Sequence, residues 1–161
     1  MAHLILLRHA KAESVSNSGR DFDRGLTERG HRDAAIMGRV LAQAGYAPDL
    51  AMVSTARRAQ ETWENAAPSF PGAKLELNRS LYLASRELLA QAAEEGLAAG
   101  RLMIVGHNPG LHELALMLMG AGRDDLDSFP TAAAAVFEVR SGQPALLQRM
   151  LLPRDHGGGS L

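Results

Sequence analysis

Leu4-Ile5-Leu6-Leu7-Arg8-His9 decides the architecture. Four consecutive apolar residues that stop abruptly at Arg8-His9 read as a strand buried on both faces, as in a sheet covered by helices. Two similar runs follow, Leu50-Ala51-Met52-Val53 before Ser54 and Leu102-Met103-Ile104-Val105 before Gly106-His107. Between them lie helical patterns. Thr27 opens one in which Ala34, Ala35, Met37, Gly38, Leu41 and Ala42 share a face, and Gly45 is its stop signal. A second carries Ala56, Ala59 and Trp63 as a buried stripe, with Ser54 or Thr55 as its cap. Residues 86–99 and Leu111 to Met119 also read as helices. Leu75-Glu76-Leu77 alternates like an edge strand. Ala132 to Val139 and Ala145 to Leu152 read as a closing pair of strands around Ser141-Gly142-Gln143-Pro144. Strand–helix alternation predicts an α/β fold: a three-layer α/β/α sandwich with a mostly parallel central sheet.

With 161 residues the chain suits one domain, placed at 1–153, with 154–161 expected as a flexible C-terminal tail ending in glycines. A 46% hydrophobic and 22% charged composition argues against disorder. The net charge of -1 supplies no global field for nucleic acid or anionic membrane. No run reaches the 18 or so apolar residues of a membrane span, and the N-terminus lacks a signal-peptide pattern. Cysteine is absent, which excludes disulfides, thiolate-bound zinc and a cysteine nucleophile. The expectation is a cytoplasmic monomer.

In open α/β sheets the ligand crevice lies beyond the carboxyl ends of the strands. Arg8-His9, Ser54 with Arg57-Arg58, and Gly106-His107 all fall there. Guanidinium forks match phosphate oxygens. Asn108 as N-cap and Pro109 at the first helical position would turn a helix N-terminus toward the same crevice. The cluster reads as an anion site, and a neutral imidazole in it is a potential nucleophile toward phosphorus. The alternative for each residue is plain: a polar strand cap for His9, a packed turn for His107. His3, His31, His112 and His156 read as structural or exposed. Met103, Met117, Met119 and Met150 read as core filler. His107 and His112 are five apart, not the four of a helical zinc pair.

These residues resemble the signatures of the histidine phosphatase superfamily. Arg8-His9 after a first strand is similar to its first motif. Ser54-Thr55-Ala56-Arg57-Arg58-Ala59-Gln60-Glu61-Thr62 is similar to its second, and Val105-Gly106-His107-Asn108 to its third. Leu26-Thr27-Glu28-Arg29-Gly30 matches the helix start between them. The short length and Asp21-Phe22-Asp23-Arg24 most resemble the SixA-type phosphohistidine phosphatases. The resemblance implies that His9 takes the phosphoryl group, that Arg8 and Arg58 bind its oxygens, and that His107 stabilises the transferring group. Ser54, Asn108 and Lys11 are expected to bind substrate. No metal or cofactor is implied. Register with Ala59 and Thr62 selects Arg58 over Arg57.

Two departures stand out. Ala10 occupies a position that is usually glycine. Ser80-Leu81-Tyr82-Leu83-Ala84 holds no carboxylate where larger members carry a proton donor; Glu87, Asp21 and Asp23 are the candidates left. A departing imidazole, whose conjugate acid has a pKa near 6.5, can carry its own proton. The expected substrate is therefore phosphohistidine in a signalling protein, such as a histidine phosphotransfer domain. The alternatives are a small phosphate ester or anhydride, or a phosphate-binding module without turnover. Asp21 and Asp23 read equally well as loop solvation or as groups that meet a cationic substrate surface. Arg20, Arg24, Arg29 and Arg32 read as a solvated face, or as steering for an acidic partner.

Overall fold

A computed structural model describes residues 2–120 and 126–159. The strands are β1 (Ala2–Arg8), β2 (Leu50–Ser54), β3 (Lys74–Asn78), β4 (Leu102–Gly106), β5 (Ala134–Val139) and β6 (Leu146–Leu151). The helices are α1 (Glu28–Gln43), α2 (Arg57–Ala66), α3 (Arg86–Gly96) and α4 (Gly110–Met119). One sheet has the order β3-β2-β4-β1-β5-β6. The first four strands are parallel, while β5 runs antiparallel to both β1 and β6. The fold is a mixed α/β sandwich, mostly parallel as expected.

Strand alternation sorts the core into two halves. Leu4, Leu6, Leu102 and Ile104 face α3 and α4, packing with Leu89, Leu111 and Leu114. Ile5, Leu7, Met103 and Val105 face α1 and α2, packing with Met37, Leu41 and Trp63. This is why the middle strands read as unbroken apolar runs. The edge strand β3 alternates weakly because it is exposed along most of its length.

Several local readings are corrected. Neither Ser54 nor Thr55 caps α2: Ala56 holds the cap position, and Ser54 Oγ accepts from the Ala56 amide from beneath it. Asn108 does not cap α4, whose cap position is Pro109 after a cis Asn108–Pro109 bond. The Asn108 amide instead donates to the Phe129 carbonyl at 2.8 Å. Met117 is exposed, not core. The segment from Arg154 is not a frayed tail as far as Gly159. Pro153–His156 form a 3-10 turn, and the Gly159 amide donates to the buried Asp33 carboxylate of α1 at 2.9 Å. Ser160 and Leu161 lie outside the described residues.

Two glycines set the approaches to the crevice. A Cβ on Gly30 would stand 2.1 Å from the Lys11 carbonyl, and one on Gly110 would stand 2.1 Å from the Ala84 carbonyl. Only glycine lets α1 and α4 begin so close to the loops that wall the site.

Candidate active site

The central strands β2, β4 and β1 are adjacent and parallel, so their carboxyl ends meet at one edge of the sheet. A cleft of about 320 Å³ opens there, lined by Arg8, His9, Lys11, Asp21, Arg24, Arg58, Leu83, His107, Asn108 and Thr131 among others. Of the residues singled out in the sequence, His9, Arg8, Arg58, His107, Lys11 and Asn108 all line it. Ser54 does not. It is fully buried behind His107, where its Oγ lies 2.8 Å from Nε2.

His9 continues from β1, its amide donating to the Gly106 carbonyl of β4. Its Nδ1 lies 2.8 Å from the Ala10 carbonyl. A carbonyl can only accept, so Nδ1 carries the proton and Nε2 keeps its lone pair. Ala10 is itself tied down by Thr62 Oγ1, which accepts from its amide at 2.9 Å and donates to the Arg58 carbonyl. The Ala10 methyl is fully buried, so the cleft is not narrowed by the departure from glycine.

The second imidazole faces the first, with ring centroids 5.2 Å apart. Ser54 Oγ accepts from the Ala56 amide and has its own proton to give. Giving it to His107 Nε2 leaves the imidazole proton on Nδ1, a buried atom with no partner. Burial holds both rings neutral. It pushes His9 down to about 4, assisted by the Arg58, Arg8 and Arg24 charges and opposed by the bond to Ala10. It pushes His107 down to about 3, with His9 and Arg58 adding to the effect.

The guanidiniums are held by fixed hydrogen-bond acceptors. Arg8 Nη1 donates to the Phe129 carbonyl at 3.1 Å, the same oxygen that holds Asn108. Arg58 is 2% exposed and grips Asp21, donating to its carbonyl at 2.8 Å and its carboxylate at 3.0 Å. Tyr82 Oη also donates to that carboxylate, and Arg24 Nε donates to its other oxygen at 3.0 Å. Tyr82, then Arg58 and Arg24, hold the Asp21 carboxyl down to about 2 against the opposing effect of desolvation. Arg8 Nε and Arg58 Nε are buried without partners among the described residues. Buried donors rarely go unpaired, and three in residues lining one cleft suit a tetrahedral oxyanion.

Arg57 is exposed and pairs with Glu61, whereas Arg58 lines the cleft. Glu87 is exposed and bonded to Arg86, and Asp23 is bonded by Ser18; neither lines the cleft. Sequence reasoning missed Arg24, Leu83 and Thr131 as lining residues, and the Phe129 carbonyl and Tyr82 as supports. Arg24 sits in the quoted Asp21-Phe22-Asp23-Arg24 segment, which was the available signal. The others lie in turns with no local pattern. Leu83 adopts φ 50°, a left-handed conformation uncommon for leucine. Among the described residues no group of three His, Asp or Glu side chains is placed to hold a metal ion, and no helix is long and apolar enough to cross a membrane.

Comparison with known proteins points to one family. A sequence profile of the histidine phosphatase superfamily (branch 1) matches residues 4–82. The chain is similar to an Agrobacterium tumefaciens protein provisionally designated the phosphohistidine phosphatase SixA. The TM-score is 0.85 and the identity 32%, over 94% of this chain and 98% of that one. A similarly designated Nakamurella protein gives a TM-score of 0.82 at 28% identity, over 94% and 96% of the two chains. An uncharacterised chloroplastic protein of Arabidopsis thaliana is 34% identical over 73% of this chain, which spans 59% of that relative's length. The ordered motifs, the sheet order and these likenesses agree: the chain belongs to the histidine phosphatase superfamily, branch 1.

Proposed function

We propose that the protein is a metal-independent phosphohistidine phosphatase that works through a phosphorylated His9. The observation that carries this reading is the pairing of a neutral imidazole, its Nδ1 proton committed to Ala10, with unpartnered buried donors in the residues around it. His9 Nε2 attacks phosphorus in line. The bond to the leaving group breaks, and its electron pair departs with that group. Water then attacks the phosphorus on His9 and phosphate leaves. Arg8, Arg58 and His107 Nδ1 stabilise the equatorial oxygens in both steps, a fixed electrostatic environment that needs no reorganisation.

The substrate half of the reading rests on Asp21. Among the described residues it is the single carboxylate lining the cleft, and it is held ionised. A group ionised at neutral pH is a weak proton donor to an alkoxide, and a missing acid typically costs about 10²–10⁴-fold. Imidazole is expelled without that help. Support also comes from the designation of the Agrobacterium and Nakamurella relatives. The partner would be a phosphorylated protein such as a histidine phosphotransfer domain.

The test is phosphate release, in EDTA, from a phosphohistidine-bearing protein and from an alkyl phosphate such as β-glycerol phosphate, by wild type and His9→Ala. Faster release from the protein, lost in His9→Ala, is expected. Faster release from the ester would assign a small phosphate ester as the substrate. Vanadate binding without turnover of either would leave a binding module.

A further inference from the structure

We infer that Asp21 is a specificity-determining residue that accepts a hydrogen bond from the protonated imidazole of the departing histidine. This rests on the phosphohistidine reading above and deepens it.

The argument begins with charge. Among the described residues, Arg8, Lys11, Arg24 and Arg58 give the cleft lining four cations, and Asp21 is its one anion. A carboxylate beside a phosphoryl site is a liability, because it repels the phosphoryl oxygens and competes for Arg58. Here it is also solidly built in. Arg24 from its own loop, Arg58 from α2 and Tyr82 from the turn before α3 all bond to it. Arg8, His9, Lys11 and His107 line the same cleft.

The acceptor count shows what remains. A carboxylate offers about four lone-pair positions. Oδ2 takes Arg58 Nη2 and the Tyr82 hydroxyl, while Oδ1 takes Arg24 Nε alone. One acceptor position is left on Oδ1, in a side chain that is 45% exposed. The chemistry then identifies the donor. N-phosphorylated imidazole leaves as neutral imidazole only when its other ring nitrogen already holds a proton. In the transfer, a bond forms between His9 Nε2 and phosphorus. The P–N bond breaks, its electron pair returns to the substrate nitrogen, and the distal proton stays where it was. Asp21 neither gains nor loses a proton; its charge favours the protonated, reactive form of the substrate. Phosphate esters present no such N–H.

The experiment compares kcat/KM for a histidine peptide phosphorylated with phosphoramidate against p-nitrophenyl phosphate, whose leaving group also needs no proton. Asp21→Asn and Asp21→Ala are measured beside wild type, with inhibition by vanadate as the check on the phosphoryl site. Losing a hydrogen bond to a charged group predicts a fall of about 10- to 100-fold on the phosphopeptide, greater in Asp21→Ala. On the ester a smaller loss is expected, because Asp21 also holds Arg58, so the phosphopeptide-to-ester ratio of kcat/KM should fall about tenfold or more. Equal losses on both substrates with weakened vanadate inhibition would overturn the inference, making Asp21 a prop for Arg58. No loss on the phosphopeptide would also overturn it. A wild type that fails on the phosphopeptide would refute the phosphohistidine reading itself, and this inference with it.

Discussion

Two places in the molecule bury charged or polar groups, and they do it in opposite ways. Near the C-terminus, Asp33 is fully buried and its partners are all protein: Arg29 Nε at 3.3 Å and the Gly159 amide at 2.9 Å. At the cleft, His9, Arg58 and His107 are also buried, yet Arg8 Nε, Arg58 Nε and His107 Nδ1 have no protein partner. A satisfied buried carboxylate ties α1 to the chain end. Unsatisfied buried donors hold their place because the surrounding bonds to Ala10, Ser54, Phe129 and Asp21 over-determine them. The first arrangement serves the fold; the second is organised toward an anion.

That contrast can be broken by experiment. The largest expected effect is His9→Ala, which should reduce phosphate release to background while changing stability by no more than about 1 kcal/mol. Rates and thermal unfolding on the same preparation check both parts. The next effect is acid sensitivity. His9 and His107 are held at about 4 and about 3, below the ordinary 6.5, so the unfolded chain binds more protons between those values. Stability should be flat near pH 7 and fall as pH drops from about 6.5 toward 3, and His9→Asn should flatten that fall. Denaturant titrations across the range measure it.

Third, vanadate at about 100 times its dissociation constant should stabilise the wild type by about 2.7 kcal/mol. The gain should survive in Asp33→Ala and vanish in Arg58→Ala, as read by thermal shift. Fourth, Asp33→Ala should cost about 2 kcal/mol by leaving the Gly159 amide and Arg29 unpaired, with kcat in the folded protein unchanged. A drop in kcat there would mean the two regions are coupled. The smallest effect is Ser54→Ala, expected to lower kcat about tenfold by freeing His107, with KM little altered. A change confined to KM would place Ser54 in contact with substrate instead.

Much of the site was legible because strand ends are legible. Leu4–Leu7, Leu50–Val53 and Leu102–Val105 announce themselves as buried strands, and whatever follows them must sit at one sheet edge. Arg8-His9, Ser54 with Arg57-Arg58, and Gly106-His107 follow from that rule; the choice of Arg58 over Arg57 came from the resemblance of the second motif. The misreadings share one cause. Ser54 and Asn108 are good caps by local chemistry, but tertiary partners claimed their side chains: His107 for one, the Phe129 carbonyl for the other. The glycine-rich end reads as loose until Asp33, 126 residues upstream, offers a buried acceptor.

The sequence by itself determined the layers, the order of strands and helices along the chain, and the identity of the two histidines and two arginines. These depend on apolar periodicity and on residues adjacent to it, which are local properties. Tertiary structure alone decided the tautomer of His9, the neutral state of both imidazoles, the orphaned guanidinium nitrogens, and Asp21 as the carboxylate of the cleft. Each of those depends on which distant groups come within hydrogen-bond reach and on how much water is excluded. Neither is written in the spacing of residues along the chain.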